Sequence, residues 1–147
     1  MTLNTASAII SLAKKFENDS AEFYEALSQR YAKDADVFLS FAKENRKNVV
    51  EIERTYYGVI TDAIECCFAF DLSPDDYTFQ AESAEKTSYS DDLAKAIEIE
   101  EKMMKFYSDA AEQSNSLMAD VPRAFRMVAK KRSSRGSKLR SLLDKEG

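Results

Sequence analysis

Six polar residues interrupt apolar stretches whose spacing is otherwise that of helices. Two of them are acids, Glu17 and Glu100, and the others are two asparagines and two arginines, Asn45, Asn48, Arg132 and Arg135. Residues three or four apart share a helix face, so we expect all six side chains to point into the protein interior at a similar height. A buried carboxylate needs a partner, because an isolated buried charge is strongly unfavourable. Two arginines can compensate two glutamates, and we therefore predict a buried salt-bridge network that needs no metal.

The composition limits what else this site could do. The chain has no histidine, which excludes histidine-based triads, histidine-ligated zinc and the usual general base near neutral pH. Its two cysteines, Cys66 and Cys67, are adjacent and match no redox or zinc spacing. We expect two small, partly buried residues there, with a vicinal disulfide or a thiol sensor as open alternatives.

Four segments carry the periodicity that would position these residues. We predict helices over residues 6–31, from 35 into the early sixties, after the capping cluster Ser90-Asp91-Asp92, and after Asp120, with Pro122 tolerated in the first turn. Links at 32–34 and 115–119 are short enough for antiparallel hairpins, whereas residues 65–89 form a longer connection. The apolar face of the third helix is expected to comprise Leu93, Ile97, Met104, Tyr107 and Ala111. These elements predict one all-α domain over residues 1–147, an antiparallel bundle of two helical hairpins joined by a long crossover.

The two predicted hairpins also resemble each other in sequence. Glu17 followed by Phe23-Tyr24 recurs as Glu100 followed by Phe106-Tyr107. In the second helix of each hairpin, Phe38 and Ala42 correspond in the same way to Phe125 and Ala129. Matches in both helices and in the same order indicate two copies of one hairpin packed together.

Charge is unevenly distributed along the chain. The net charge is −5, yet residues 123–147 contain nine basic residues against two acidic ones. Such a segment can bind nucleic acid or another anionic surface, or it can be one basic helix that complements three acidic ones. We favour the second interpretation, so nucleic acid is not the expected partner. No secretory signal and no run long enough to span a bilayer is visible, and we expect a cytoplasmic protein with no membrane partner.

The segments around Glu17 and Glu100, each with its downstream Phe-Tyr, resemble the rubrerythrin branch of the ferritin-like superfamily. The stretch Asp71-Leu72-Ser73-Pro74-Asp75-Asp76-Tyr77 is similar to that branch as well. The resemblance covers nearly the whole chain. It implies a ferritin-like bundle in which two glutamates and two Glu-x-x-His units hold a di-iron or related centre. It also implies peroxide reduction or the oxidation or storage of ferrous iron.

Four of the six positions that match metal ligands depart from this family pattern. Glu17 and Glu100 stand where the family has its single ligand glutamates. Asn45 and Asn48 stand in place of the first Glu-x-x-His, and Arg132 and Arg135 in place of the second. A guanidinium stays protonated and cannot donate a lone pair to a metal. The six residues are thus interpreted as former metal-site positions, with the arginines as an electrostatic replacement for the ions.

Three functions follow from these observations. The favoured hypothesis is a non-catalytic structural or interaction protein without a cofactor, expected to form a homodimer that covers an apolar helix face. The alternative is a metal-dependent oxidoreductase or iron-handling protein that uses iron or manganese in a remodelled site. Other acids that could contribute to such a site fall mostly on other helix faces: Glu22, Glu44, Glu98 and Glu101. The third hypothesis is a nucleic-acid or anion binder that uses the basic last helix, and its affinity would fall steeply with salt. It would require one exposed patch made of Lys130, Lys131, Lys138 and Arg140.

Overall fold

The computed structural model describes Leu3 and residues 5–59, 70–80, 87–114 and 120–146. The prediction of an all-α chain is confirmed for these residues, in which the only pairing of β type is an isolated antiparallel bridge between Leu3 and Leu72. Four long helices account for most of the described chain: α1 (Ala6–Arg30), α2 (Ala35–Val59), α3 (Tyr89–Gln113) and α4 (Asp120–Glu146). Two short 3-10 helices, Ala32–Asp34 and Pro74–Asp76, lie in the connections.

Helices α1 and α3 begin with caps formed by side chains just before them in the sequence. The Thr5 hydroxyl accepts a hydrogen bond from the backbone N–H of Ala8 at 3.2 Å, which satisfies a free donor of the first turn of α1. At α3, the Ser88 hydroxyl accepts from the Asp91 N–H, and the Asp91 carboxylate accepts from the Ser88 N–H, forming a capping box. The prediction that α3 begins after Asp92 was therefore wrong. Asp91 takes part in the cap as its third helical residue, and the helix begins at Tyr89.

Contacts between the helices fix their directions. The most extensive packing is between α3 and α4 and between α1 and α2, as expected for two hairpins. Phe16 contacts Phe106, whereas Tyr24, further along α1, bonds to Glu100, which precedes Phe106 in α3. Helix α1 is therefore antiparallel to α3. It is antiparallel to α2 as well, because Asn48 bonds to Glu17 while Arg46, earlier in α2, pairs with Glu25, later in α1.

Helices α2 and α3 consequently run in the same direction, so the chain between them must return along the length of the bundle. The described part of that connection does so. The backbone of Asp71 bonds to the side chain of Gln113, the last residue of α3. The carbonyl of Thr78 accepts a hydrogen bond from Lys102 in the middle of α3. Thr87 lies two residues before the start of α3. The expectations for the link 115–119 and for Cys66 and Cys67 concern residues outside the described part of the chain.

Buried side chains from all four helices form the core, and the two hairpins contribute to it in a similar manner. Tyr24 packs on Phe38 with ring centroids 6.3 Å apart, and the corresponding pair Tyr107 and Phe125 lies at 6.1 Å. One expectation for the α3 face was wrong, because Met104 is 38% exposed while Met103 is fully buried. The buried face of α3 therefore includes Ile99 and Met103, which were not part of the expected apolar face. Ile97, which was part of it, is only half-buried.

Candidate functional site

All six polar residues selected on the sequence lie in the interior of the bundle. None of them is more than 2% exposed. Each of the four helices supplies at least one, since Glu17 is on α1, Glu100 on α3, two asparagines are on α2 and two arginines on α4. The prediction of a buried salt-bridge network is confirmed, although its members divide into two groups that the sequence did not separate.

The first group, which we call the central cluster, is built around Arg132, whose guanidinium lies between Glu17 and Glu100. Its Nη1 donates to Glu100 Oε2 at 2.7 Å, and its Nη2 donates to Glu17 Oε2. Burial works to lower the pKa of Arg132, but the attraction of the Glu100 and Glu17 carboxylates outweighs it and holds that pKa well above its usual value. One permanently charged side chain from α4 thus links the two hairpins through a glutamate of each.

Two tyrosines complete the central cluster, and each reaches the glutamate of the opposite hairpin. Tyr24 on α1 donates to Glu100 Oε2 at 2.6 Å, while Tyr107 on α3 donates to Glu17 Oε2 at 2.8 Å. Burial is the main cause that raises the pKa of both phenols well above the usual value, and the facing carboxylate adds to it. Both tyrosines are therefore neutral hydrogen-bond donors near pH 7.

Two smaller side chains add donors and acceptors to the same cluster. Asn48 Nδ2 donates to Glu17 Oε1 at 2.8 Å, and its amide oxygen accepts from Lys131 at 3.4 Å. The Ser20 hydroxyl accepts from Arg132 Nη2 at 3.1 Å and donates to the Phe16 carbonyl one turn earlier. As a result, both oxygens of Glu17 are occupied by donors from three different helices.

The second group, the edge cluster, comprises Arg135, Glu44 and Asn45. Arg135 binds the Glu44 carboxylate with two nitrogens at 2.9 and 3.0 Å and donates to Asn45 Oδ1 at 2.5 Å. Its guanidinium also lies over the ring of Phe41, 5.1 Å from the centroid. The expectation that Arg135 shares in neutralising Glu17 and Glu100 was wrong. Its partner is Glu44, which reaches the helix interface from a half-buried position.

Charge and hydrogen bonds are not fully matched inside the central cluster. With both glutamates ionised, two negative charges face one guanidinium. Among the described residues, two buried atoms of this cluster have no hydrogen-bond partner, Glu100 Oε1 and Arg132 Nε, and neither has Asn45 Nδ2 in the edge cluster. Glu100 Oε1 corresponds to the Glu17 oxygen that Asn48 occupies. It lacks such a donor because Arg135, the counterpart of Asn48, points to Glu44 instead.

The donor set does not fit a pair of metal ions. In the described part of the chain, no group of three or more cysteine, aspartate or glutamate side chains is placed to hold a metal. Glu17 and Glu100 are the only acids of the central cluster, and Arg132 N–H groups point at one oxygen, Oε2, of each. A guanidinium so close to these oxygens also repels a second positive charge.

Sequence reasoning missed the polar role of four residues of these clusters: Ser20, Tyr24, Tyr107 and Glu44. Each tyrosine stands seven residues after the glutamate of its own hairpin. Seven residues are two helical turns, so that spacing already places the phenol and the acid on one face. Ser20 stands three residues after Glu17, which also places it on that face of α1. Nothing in the local pattern distinguished Glu44 from other exposed acids.

Over the residues that the structure describes, no helix combines the length and the apolar character needed to cross a membrane. No family model, no curated protein and no solved structure matched this chain.

Proposed function

We propose that this chain is a ferritin-like bundle of the rubrerythrin type in which an ion-pair network has replaced the two-metal centre. In this proposal the protein is a non-catalytic structural or interaction protein. The six residues Glu17, Asn45, Asn48, Glu100, Arg132 and Arg135 are its former metal-site positions. Location in the cytoplasm and assembly as a homodimer are further parts of the proposal.

The position of Arg132 is the observation that carries this proposal. Its guanidinium bonds to both buried glutamates, one from each hairpin. Its positive charge therefore lies between the two carboxylates, where a bridging metal ion would lie. The direction of the helices, with a crossover along the bundle between α2 and α3, agrees with a ferritin-like topology. Equivalent aromatic contacts in the two hairpins support the doubled-hairpin origin that the family resemblance implies.

One observation favours the alternative, a metal-dependent oxidoreductase or iron-handling protein with a remodelled site. Glu100 Oε1 is buried without a described donor, and a free carboxylate oxygen is a ligand that iron or manganese accepts. The alternative would need Arg132 to leave its present partners before a metal could bind. That movement would expose two carboxylates to each other without compensation, which makes the alternative the weaker of the two.

Thermal unfolding with and without metal distinguishes these functions. A ligand that binds only the folded state raises its stability, by about 2.7 kcal/mol at a free concentration of one hundred times Kd. We expect the melting temperature to be unchanged by a chelator and by added ferrous iron or manganese. A rise of several degrees with metal, reversed by the chelator, would contradict the proposal and favour the oxidoreductase. Light scattering after gel filtration tests the homodimer, for which a mass equal to one chain would be the contrary result.

A further inference from the structure

A groove between α2 and α4 combines apolar and basic side chains on the protein surface. Val50 of α2 and Met127 of α4 form its floor, and four cationic residues surround them, Lys43, Arg46, Lys47 and Lys131. This depression is open to solvent and does not enclose a cavity, so it suits side chains of a partner better than a single ion. We call this surface the basic groove.

The apolar floor of the basic groove is open to solvent. Val50 is 50% exposed and Met127 43% exposed, whereas most large apolar side chains of the described helices are buried or half-buried. Leu39, 48% exposed, stands eleven residues before Val50, which is close to three helical turns and therefore on the same face of α2. Exposed apolar side chains aligned along a helix and bordered by charges are typical of an interaction surface.

The charges around this floor are largely uncompensated. Lys43 and Lys47 have no carboxylate partner in the part of the chain that the structure describes, and Lys131 bonds only to the neutral amide of Asn48. Arg46 is paired with Glu25 at 2.6 Å. The one acid that lines the groove, Glu51, lies 3.5 Å from Arg54 of its own helix. The groove therefore presents a positive field around an apolar centre.

We infer that the basic groove is a docking site for an acidic amphipathic helix of a protein partner. Exposed apolar side chains from two neighbouring helices match the apolar stripe of a third helix, and the lysines around them match acids beside that stripe. The inference deepens the interaction role proposed above and rests on it. It also excludes a symmetric contact between two copies at this surface, because such a contact would place lysines against lysines. A nucleic acid would use the lysines but leave Val50 and Met127 without a role.

A designed peptide tests the inference without knowledge of the natural partner. The probe is a fluorescent helical peptide of about 18 residues with leucines every third or fourth position and glutamates beside them. A peptide of the same composition in scrambled order is the control ligand, and a short DNA duplex is the competing ligand. Fluorescence anisotropy with the full chain should show saturable binding of the ordered peptide and much weaker binding of the other two.

Variants then locate the binding surface. Lys43→Glu with Lys47→Glu should weaken peptide binding about tenfold or more, since repulsion replaces attraction at the rim. Met127→Ala should weaken it about fivefold through the loss of apolar contact. Lys145→Glu, which changes an exposed lysine in the last turn of α4, should leave the affinity within about twofold because it lies far from the groove. Circular dichroism checks that each variant keeps its helical content.

Three results would overturn the docking site: absence of peptide binding, binding that the double lysine variant leaves unchanged, or DNA binding that depends on these lysines while the peptide fails to bind. These results are separable from the failure of the proposed function. A protein that holds metal but binds the peptide through Lys43 and Lys47 would keep the docking site and lose the metal-free role. A metal-free protein that does not bind the peptide would keep the metal-free role and lose the docking site.

Discussion

Asn48 and Arg135 occupy equivalent positions in the two hairpins, yet Asn48 donates to Glu17 whereas Arg135 donates to Glu44. This difference leaves the two central glutamates in unequal surroundings. Glu17 has donors on both oxygens, from Asn48 on one and from Arg132 and Tyr107 on the other. Glu100 has Arg132 and Tyr24 on Oε2 and no described partner on Oε1. The two hairpins therefore share one pair of aromatic contacts, Tyr24–Phe38 and Tyr107–Phe125, but differ in the polar surroundings of their glutamates.

Neutral replacements of the two glutamates should reveal this asymmetry. In Glu17→Gln, either orientation of the amide turns an N–H group toward a donor, so we expect a loss of about 2 kcal/mol in the free energy of unfolding. In Glu100→Gln, the amide nitrogen can take the place of Oε1 while the oxygen keeps both existing donors, so the loss should be smaller than about 1 kcal/mol. Urea unfolding of the two variants makes the comparison. Equal losses, or a larger loss for Glu100→Gln, would contradict the asymmetric cluster.

Removal of the central cation should be far more damaging than removal of a surface cation on the same helix. Arg132→Met leaves Glu17 and Glu100 buried beside each other without compensation, and we expect a loss of about 3–5 kcal/mol or failure to fold. Arg140→Met is the matched control. Arg140 pairs with Glu101 on the surface, where both side chains are more than half exposed, and its loss should cost less than about 1 kcal/mol.

If Arg132→Met alone does not fold, the triple variant Arg132→Met, Glu17→Gln, Glu100→Gln tests whether the charge of Arg132 is what stabilises the cluster. Without the two carboxylates, methionine is no longer surrounded by uncompensated charge, so the triple variant should be more stable than Arg132→Met alone. Thermal unfolding followed by circular dichroism measures both. A triple variant that is no more stable than the single one would show that Arg132 acts through packing and not through its charge.

Stability should fall at alkaline pH because of the buried tyrosines. All five tyrosines with described side chains have a pKa above the usual 10, Tyr31 at about 12 through burial and its bond to Asp92. A raised pKa in the folded state means that the folded protein binds a proton that the unfolded chain has released above pH 10. The resulting stabilisation is complete below pH 10 and is lost as the pH rises from 10 toward the folded-state values.

Tyrosine absorbance and circular dichroism, recorded together during an alkaline titration, check this expectation. The phenolate signal of the buried tyrosines should appear in the same pH range as the loss of helix, because these groups ionise only when the protein opens. Phenolate formation of all tyrosines near pH 10 with the helices intact would contradict the described hydrogen bonds of Tyr24 and Tyr107.

Introducing the ligand types of the rubrerythrin pattern tests the proposal that the six positions once held metal. The variant Asn45→Glu, Asn48→His, Arg132→Glu, Arg135→His combines the expected ligand types with Glu17 and Glu100. We expect it to be less stable than the natural chain without metal, and to gain about 2–4 kcal/mol with ferrous iron well above its Kd. The partial variant Arg132→Glu, Arg135→His is the control and should gain less. No metal-dependent gain in the full variant would argue against former ligand positions.

Features set by neighbouring residues along the chain could be predicted from the sequence, whereas contacts between different helices could not. The helices follow from local periodicity. Helices α1 and α2 begin at the expected residues, and α4 begins one residue earlier than expected, at Asp120. The burial of Glu17 and Arg132 followed as well, because a polar residue inside an apolar stripe cannot leave the interface. The start of α3 was missed because Ser88 and Ser90 are both plausible caps and only the reciprocal bond with Asp91 decides between them.

The partner of Arg135 was not predictable for a different reason. A long guanidinium side chain on α4 can reach acids on several helices, and small rotations of α2 decide whether it meets Glu44 or the central glutamates. The exposure of Met104 has the same origin, since the buried face of α3 lies a fraction of a turn from the stripe expected on the sequence. Such rotations depend on the packing of all four helices together. The spacing of apolar residues within one helix does not determine them.

The central claim is that Arg132 has replaced metal between Glu17 and Glu100, and elemental analysis tests it most directly. The natural chain is purified without a metal-affinity step, incubated with ferrous iron and manganese, and freed of unbound ions before its metal content is measured. The account predicts metal well below one equivalent per chain. Near-stoichiometric iron or manganese, especially two ions per chain that are lost on exposure to a chelator together with thermal stability, would contradict it.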